Sequence, residues 1–366
     1  MTPGDLWRNI MHYGPFDRLP VLHWVAWPET YARWRNEGLP VFADHEAERR
    51  WFGAVASFWG IGCGWHGDGA GMEQNLFPPF EEQVLEDRLD YQVVRDGDGV
   101  VCKRWKNRTG VPQFLDYTLK DAAGWDEYKQ RLQPDPRRLT ADLDRSIAMG
   151  QASGNALGIT VCSLTGWIRN WMGVENMAYL MHDDPAVYAD MVNTLADLSC
   201  WIIDTIAPKV QLDILWGWED ICGRSGPLVS PATFDRCVAP GYRKVRAKAG
   251  EYGIGLYGID TDGDITHLCG HWLDAGVNVQ FPVEIGVWNA DPMAYRRQYG
   301  RDLRVIGGID KRQLAKGRVA IDAEIERRMP LIRDGGFLPM PDHIIPPDVP
   351  LDDYRYYLDK IRAIRL

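Results

Sequence analysis

The chain has 366 residues, of which 45% are hydrophobic and 25% charged, and this composition is typical of a folded globular protein. Its net charge of −10, with lysine and arginine spread along the chain, argues against nucleic-acid binding, which needs clustered basic residues. No stretch approaches the roughly 20 apolar residues that span a bilayer, and the N-terminus lacks the order of a secretory signal, so we expect a cytoplasmic protein without membrane contact.

The first third of the chain predicts few regular elements. Residues 19–25 predict a first strand, and residues 29–37 an amphipathic helix after it. A second strand at residues 54–61 is a weaker prediction. Two alternating runs flank the turn sequence Asp96-Gly-Asp-Gly99 and predict a β-hairpin. Because the hairpin interrupts the alternation of strands and helices, we expect an insertion over residues 66–135.

The rest of the chain alternates strand and helix signals. The strand signals are apolar runs at residues 156–162, 210–216, 254–259, 277–283, 303–309 and 336–341. The helix starts are a polar cap followed by proline, at residues 184–185, 230–231 and 291–292. Glycines at 300 and 335 predict helix ends, and residues 351–364 predict a closing helix.

Four polar side chains follow successive apolar runs: Asp260, Glu284, Asp310 and His343, spaced 24, 26 and 33 residues apart. This spacing is that of a strand plus a helix. The fold class is therefore predicted as α/β, a (β/α)8 TIM barrel over residues 1–366, with an N-terminal extension containing the hairpin beside the barrel mouth. In such a barrel, residues at strand ends converge on one rim. An open doubly wound sheet is the alternative, but no G-x-G-x-x-G follows the first strand.

Two clusters of acidic residues follow predicted strands. Asp260-Thr-Asp-Gly-Asp264 places three carboxylates in five residues, which need solvent, protons or a cation to offset their repulsion. Asp260 and Asp262 would both face the mouth if the strand continues that far. Glu219 stands beside two indoles and suits acid catalysis or a metal. Its structural alternative is an ion pair with an arginine such as Arg169.

Histidine and tryptophan side chains complete the predicted rim. His343 lies in a proline-stiffened loop after the last strand, which suits a metal ligand or a proton-transfer group. Asp342 beside it is an alternative loop-orienting group, and Asp310 an alternative helix cap. The candidate substrate contacts, for which core packing is the alternative explanation, are His23, Trp24, Trp27, Trp65, His66, Arg169, Trp216 and Glu284.

Several motifs together resemble the uroporphyrinogen decarboxylase superfamily. They include Asp260-Thr-Asp-Gly263 and Pro341-Asp-His343. The others lie at residues 166–176, 218–221, 226–231, 299–303, 307–312, 335–336 and 346–350, together with Glu284. The resemblance implies a TIM barrel with its site at the mouth, and one of two chemistries: porphyrinogen decarboxylation, or zinc-dependent methyl transfer with a separate corrinoid protein.

The departures from these family patterns favour methyl transfer over porphyrinogen decarboxylation. The decarboxylases carry an Arg-Gln-Ala-Gly-Arg motif after the first strand, where this chain has residues 23–28, His-Trp-Val-Ala-Trp-Pro. The methyltransferases that serve coenzyme M bind zinc through His-x-Cys and a later Cys, whose positions here hold Asp260, Asp262 and His343. The resemblance therefore implies a metal site of oxygen and nitrogen ligands, Glu219, Asp260, Asp262 and His343, for Zn²⁺ or another divalent metal.

The sequence thus predicts an enzyme that moves a methyl group from a methoxylated, aromatic small molecule to a corrinoid protein, in the manner of an O-demethylase. The catalytic residues would be His343, Asp260 and Glu219. The first alternative is a decarboxylase or lyase using Asp260 and His343 as acid and base, with Arg169 as the carboxylate anchor. The second is a noncatalytic barrel that binds a tetrapyrrole or an aromatic ligand. The oligomeric state is open, a homodimer being one option.

Overall fold

The protein is described by a computed structural model that covers residues 1–55, 71–107, 110–223, 225–286 and 288–366. The chain begins with three helices, α1 (Pro3–Met11), α2 (Pro28–Asn36) and α3 (His45–Trp51). The predicted first strand differs from the structure: residues 19–25 carry no assigned strand, and Ala26 forms a single parallel bridge with Ile345. Residues 54 and 55 carry no strand either, and the rest of the second predicted strand lies outside the described residues.

A four-stranded antiparallel sheet follows, formed by β1 (Gln83–Asp87), β2 (Tyr91–Arg95), β3 (Val100–Trp105) and β4 (Gln113–Tyr117) in that spatial order. The predicted hairpin is confirmed as β2 and β3, which pair with Tyr91 opposite Trp105. The turn forms because the carboxylate of Asp96 accepts hydrogen bonds from the backbone N–H groups of Asp98 and Val100.

The remaining elements alternate strands with helices. In chain order they are α4 (Trp125–Arg131), α5 (Leu143–Ala152), β5 (Gly158–Thr160), α6 (Gly166–Asp183), α7 (Pro185–Ile206), β6 (Ile214–Trp218), β7 (Cys222–Gly223), β8 (Gly226–Pro227), α8 (Pro231–Thr233), α9 (Ala239–Glu251), β9 (Leu256–Asp260), α10 (Cys269–Asp274), β10 (Val279–Phe281), α11 (Pro292–Tyr299), β11 (Arg304–Ile309), α12 (Lys311–Leu314), α13 (Arg318–Asp334), β12 (Phe337–Pro341) and α14 (Leu351–Ala363). A π-helical turn, Phe234–Val238, joins α8 to α9.

Six of the strands form one parallel sheet in the order β12-β11-β10-β9-β6-β5. Because neighbours in this sheet are parallel, the carboxyl ends of all six strands lie at the same edge, called here the carboxyl edge. The order follows the chain without a reversal. Pairing among the described residues does not close the sheet into a cylinder, so the mixed α/β class is established and the eight-stranded barrel stays a prediction.

The central sheet is buried on both faces, as a parallel sheet covered by helices must be. All five residues of β9 and all five of β12 are buried. Within the sheet, Trp216 lies beside Gly258 in the register of β6 and β9. A Cβ on Gly258 would lie 2.4 Å from the Trp216 ring, so only glycine leaves room for that indole. This packing makes Trp216 a core residue.

The helix boundaries follow the sequence signals closely. The side chains of Asp184, Ser230 and Asp291 accept hydrogen bonds from backbone N–H groups at the starts of α7, α8 and α11. The closing helix runs to Ala363, one residue short of its predicted end. None of the helices in the described ranges is both long and apolar enough to cross a membrane.

Candidate active site at the carboxyl edge

Polar side chains from the ends of three strands meet at the carboxyl edge of the sheet. Asp262 follows β9, Glu284 follows β10 and His343 follows β12. One ligand atom from each of these three residues lies within 4.8 Å of the other two. The Nε2 atom of His343 is 3.1 Å from Oδ2 of Asp262. We call Asp262, Glu284 and His343 the triad; of the acidic and histidine residues expected at the rim, these three form the one group of possible metal ligands found among the described residues.

The turn after β9 places Asp262 against Glu284. The backbone N–H of Gly263 donates to Oε2 of Glu284 at 2.9 Å. Gly263 has a φ of +89°, and a Cβ there would lie 2.1 Å from the carbonyl oxygen of Cys222. Any side chain would clash with that backbone, so the turn requires glycine. The glycine of the Asp260-Thr-Asp-Gly263 motif therefore has a role in the geometry of the site.

Glu284 is held in one orientation by its neighbours. Besides Gly263, the indole Nε1 of Trp288 donates to Oε2 of Glu284 at 2.7 Å. The ammonium of Lys311 lies 3.9 Å from Oε1. Val283, just before Glu284, has a φ of +48°, a strained conformation for a β-branched residue. Strain of this kind is retained where surrounding contacts over-determine the backbone, and it is common at functional sites.

Asp342 connects the loops that carry the triad. It is completely buried, and its carboxylate accepts hydrogen bonds from the backbone N–H groups of Ile285, Gly286 and Lys311 at 2.8–3.0 Å. One side chain therefore ties the loops after β10 and β11 to the residue that precedes His343. This is the loop-orienting role that the sequence offered as the alternative for Asp342.

Two further carboxyl groups flank the triad. Oδ1 of Asp220 accepts a hydrogen bond from the backbone N–H of Asp262 at 2.9 Å. Burial, together with the nearby charge of Asp262, raises the pKa of Asp220 to about 6. Asp260 is 3% exposed, and its Oδ2 atom has no hydrogen-bond partner among the described residues. Burial first, and then the carboxylates of Asp220 and Asp262, raises the pKa of Asp260.

Tryptophans border the imidazole of His343. Trp27 stacks on it with ring centroids 6.2 Å apart, and Trp24 meets it edge-on at 6.0 Å. Trp27 is 39% exposed, so its ring forms part of the accessible surface beside the triad. Trp216 differs from the expectation of a substrate contact, because it is 1% exposed within the sheet and packs against Phe281.

Glu219 differs most from its predicted role as a metal ligand. Its carboxylate is fully buried and accepts five hydrogen bonds from the protein, so both oxygens are already occupied by donors. The donors are the backbone N–H groups of Leu164, Thr165 and Gly166 and the hydroxyls of Ser163 and Tyr242. Burial raises the pKa of Glu219, and these hydrogen bonds act in the opposite direction. Glu219 thus fixes the start of α6.

His23 and Asp310 also lie apart from the triad. Nδ1 of His23 is 2.7 Å from the hydroxyl of Tyr354, and Nε2 is 3.2 Å from a carboxylate oxygen of Glu48. His23 is therefore a buried packing residue between α3 and α14. Its side chain points to the opposite side of the chain from that of its neighbour Trp24, which contacts His343. Asp310 caps α12, where it accepts from the backbone N–H and the guanidinium of Arg312.

Arg169 lies near the site, and two other candidates cannot be placed. Nη1 of Arg169 donates to the carbonyl oxygen of Asp220, and no ion pair joins it to Glu219. Trp65 and His66 lie outside the described residues. Asp220, Trp288 and Lys311 were not singled out from the sequence. Asp220 and Lys311 do follow strands β6 and β11, so the rule that polar residues at strand ends converge could have found them.

Comparisons with known proteins give one kind of match. No protein-family model matches the chain, and no curated protein matches it. Among solved structures, a methyltransferase from Methanosarcina mazei is similar in fold, with a TM-score of 0.63 and 15% sequence identity. The similarity covers 99% of this chain and 98% of that chain. The whole chain therefore shares the fold of that structure.

Proposed function

We propose that this protein is a metal-assisted methyltransferase whose active site is the triad of Asp262, Glu284 and His343. The observation that carries the proposal is the meeting of these three ligand atoms at the carboxyl edge. The likeness over the full chain to a structure described as a methyltransferase supports the reaction class. We further propose that the sheet closes as a TIM barrel, and the parallel bridge between Ala26 and Ile345 beyond β12 supports this.

The chemistry of the triad fits a divalent metal ion. Two carboxylates and one imidazole are ligands that Zn²⁺ and other first-row divalent metals accept, with positions left open for a substrate. Glu284 is pre-oriented by Gly263 and Trp288, as ligating carboxylates commonly are. A thiolate is absent from this group, so the ion would act as a Lewis acid on an oxygen atom rather than activate a thiol.

The protein's own residues would position the reaction. Trp24 and Trp27 hold the imidazole of His343 in place and offer an aromatic surface to a flat substrate. The ether oxygen would lie at the triad, where its bond to the methyl carbon breaks and the oxygen keeps the electron pair. We propose that the acceptor is cobalt(I) of a corrinoid on a separate protein, as in O-demethylation. Asp342 keeps Glu284 and Lys311 in register during this step.

Metal analysis tests the proposal. Purified wild-type protein should carry about one equivalent of a divalent metal, and His343→Ala should lose it. His182→Ala is a matched control, because the His182 side chain is 89% exposed and pairs with Asp183 away from the triad. Wild-type protein that is free of metal and still demethylates a methoxylated aromatic compound in the presence of a reduced corrinoid would overturn the metal's role.

A lyase or decarboxylase is the second candidate function, and Asp260 favours it. A buried carboxyl group with an oxygen that no described residue engages is placed to exchange a proton with a substrate. Asp260 and His343 would then be the acid and base for a carboxylated substrate. Release of carbon dioxide without any corrinoid, abolished in Asp260→Asn, would favour this reaction over methyl transfer.

A further inference from the structure

Arg169 is a partly buried cation beside the triad that pairs with no carboxylate of a described residue. It lies in the first turns of α6, and its guanidinium donates to the carbonyl oxygen of Asp220 and to Oδ1 of Asn170. Both acceptors are neutral, and no carboxylate oxygen of a described residue lies within 4.0 Å of the guanidinium nitrogens, the distance limit for an ion pair. Two of the five N–H groups of the guanidinium are used in these bonds, and the other three have no acceptor among the described residues.

This arrangement is costly unless a further partner binds. A guanidinium removed from water loses solvation that neutral acceptors replace only in part. Burial accordingly lowers the pKa of Arg169, and the nearby charges of Asp220 and Glu219 act in the opposite direction. Lys311, by contrast, faces the carboxylate of Glu284 at 3.9 Å. Arg169 therefore has no carboxylate of a described residue within ion-pair distance and is able to receive an anion.

Aromatic rings border this guanidinium. Its Cζ atom lies 5.2 Å from the centroid of the Trp218 ring, which closes one side. Tyr117, the last residue of β4, packs on α6 at Gly173, where a Cβ would lie 2.6 Å from the tyrosine ring. Gly173 has a φ of +75°, outside helical geometry, and its lack of a side chain lets the four-stranded antiparallel sheet approach α6. A planar aromatic ligand can pack beside the Trp218 ring while Arg169 binds its charge.

The surroundings of Arg169 connect directly to the triad through Asp220. Arg169 donates to the carbonyl oxygen of Asp220, and Oδ1 of the same residue accepts from the N–H of Asp262 at 2.9 Å. Asp220 has a φ of +47°, an uncommon conformation that turns its carbonyl and its carboxylate to different neighbours. Arg169 is thus connected to the triad through a single residue, Asp220.

We infer that Arg169 and Trp218 form the binding subsite for the carboxylate of an aromatic acid, so that the enzyme's substrates are methoxylated aromatic carboxylates. The planar guanidinium matches a carboxylate in two parallel hydrogen bonds, and the indole stacks beside the ring. Asp220 orients Arg169 through its carbonyl oxygen. The inference deepens the proposed methyl transfer and rests on it for the position of the ether group at the triad.

Calorimetric titration tests the subsite in protein treated with a chelator, so that no metal contributes to binding. The probes are 4-methoxybenzoate and its uncharged counterpart of the same shape, 4-methoxybenzamide. Charged hydrogen bonds to the guanidinium should make wild-type protein bind the acid about 10- to 100-fold more tightly than the amide. This comparison needs no variant. Equal binding of acid and amide, or no binding of the acid at millimolar concentration, would overturn the inference.

Variants then assign the preference to one residue. Arg169→Gln should abolish the preference for the acid, and Arg169→Lys should keep part of it, because a lysine retains the charge but not the fork of donors. Arg318→Gln is the matched control: Arg318 also stacks on an aromatic ring, that of Tyr356 at 5.0 Å, but does so on the exposed surface. An undiminished preference in Arg169→Gln contradicts the assignment.

The outcomes separate this inference from the proposed function. If benzoate, which has no methyl ether, binds in an Arg169-dependent way while 4-methoxybenzoate yields no methyl transfer to a reduced corrinoid, the subsite is correct and the methyltransferase proposal fails. If 4-methoxybenzamide is demethylated as efficiently as the acid, the methyltransferase proposal is correct and the subsite is wrong.

Discussion

Replacing Glu219 with glutamine distinguishes its observed structural role from the metal-binding role that the sequence suggested. The substitution keeps the shape of the side chain but removes its charge and converts one acceptor oxygen into a donor amide. In the folded protein the two oxygens of Glu219 accept five hydrogen bonds, three from backbone N–H groups at the start of α6 and two from hydroxyls. Every orientation of the new amide leaves at least one of these donors facing another donor.

The least damaging orientation places the new NH₂ group at the position of Oε1. The hydroxyl of Tyr242 can rotate and accept from it, but the backbone N–H of Leu164 then loses its acceptor. A buried unsatisfied N–H costs about 2 kcal/mol, and the three bonds to the other oxygen each weaken by roughly 0.5 kcal/mol when the charge is removed. We therefore expect the free energy of unfolding to fall by about 3.5 kcal/mol, a large share of typical stability.

Urea unfolding followed by tryptophan fluorescence measures this change, since the chain contains 16 tryptophans. Glu326→Gln serves as the control, because Glu326 is exposed on α13 and should change the free energy of unfolding by less than about 0.5 kcal/mol. Metal affinity of the folded Glu219→Gln protein should match that of the wild type. A variant with unchanged stability and no bound metal would show that Glu219 is a ligand and that our reading of its role is wrong.

Three other perturbations have defined outcomes. Gly263→Ala should lower the free energy of unfolding in urea by at least about 2 kcal/mol and abolish metal binding. The control Gly226→Ala, at a glycine with a φ of +105° but no atom near the added Cβ, should keep its metal. Equal loss of metal in both variants would refute the role of the clash at Gly263. Burial raises the pKa of Asp98 to about 6, so the carboxyl group ionises at lower pH in the unfolded chain than in the folded protein, and wild-type stability falls as pH rises from about 4 to 6. Asp98→Asn lacks this group, so its free energy of unfolding relative to wild type should rise by about 2 kcal/mol between pH 4 and 6. A difference between the two proteins that stays constant with pH would contradict this prediction. Trp27→Ala should leave the unfolding midpoint nearly unchanged and weaken binding of an aromatic substrate about 2- to 10-fold by calorimetry; the reverse pattern would make Trp27 a packing residue beside His343.

The regular elements of the second half of the chain follow local sequence signals. Apolar runs became β9, β11 and β12 within a few residues of their predicted limits, because a parallel strand that is buried on both faces needs continuous apolar sequence. The caps at Asp184 and Asp291 formed as predicted, since a cap depends on residues adjacent in the chain. The first predicted strand did not form, because a strand needs a continuous partner, and residues 19–25 make only isolated backbone hydrogen bonds, from Val55 to Val21 and from Ile345 to Val25.

The sequence could predict the site residues only as part of a larger group of polar residues at strand ends. Strand-end position indicated Asp262, Glu284 and His343, and these three lie together. The same rule could not tell Glu219 from Asp220. One residue of difference turns the first toward the interior, where five donors surround it, and the second toward the site. Which of two neighbouring carboxylates faces the site depends on the path of the loop after β6, which no local pattern specifies.

The sequence by itself determined the alternation of strands and helices, the helix caps and the set of strand ends that carry polar groups, because these features depend on near neighbours and on hydrophobic periodicity. Only the tertiary structure decided which of those groups meet. Asp342 joins three loops through backbone N–H groups that are 31 to 57 residues away in the chain, and Arg169 reaches Asp220 across 51 residues. Contacts over such separations follow from the packing of the whole fold, and so the site could be assigned only once that packing was known.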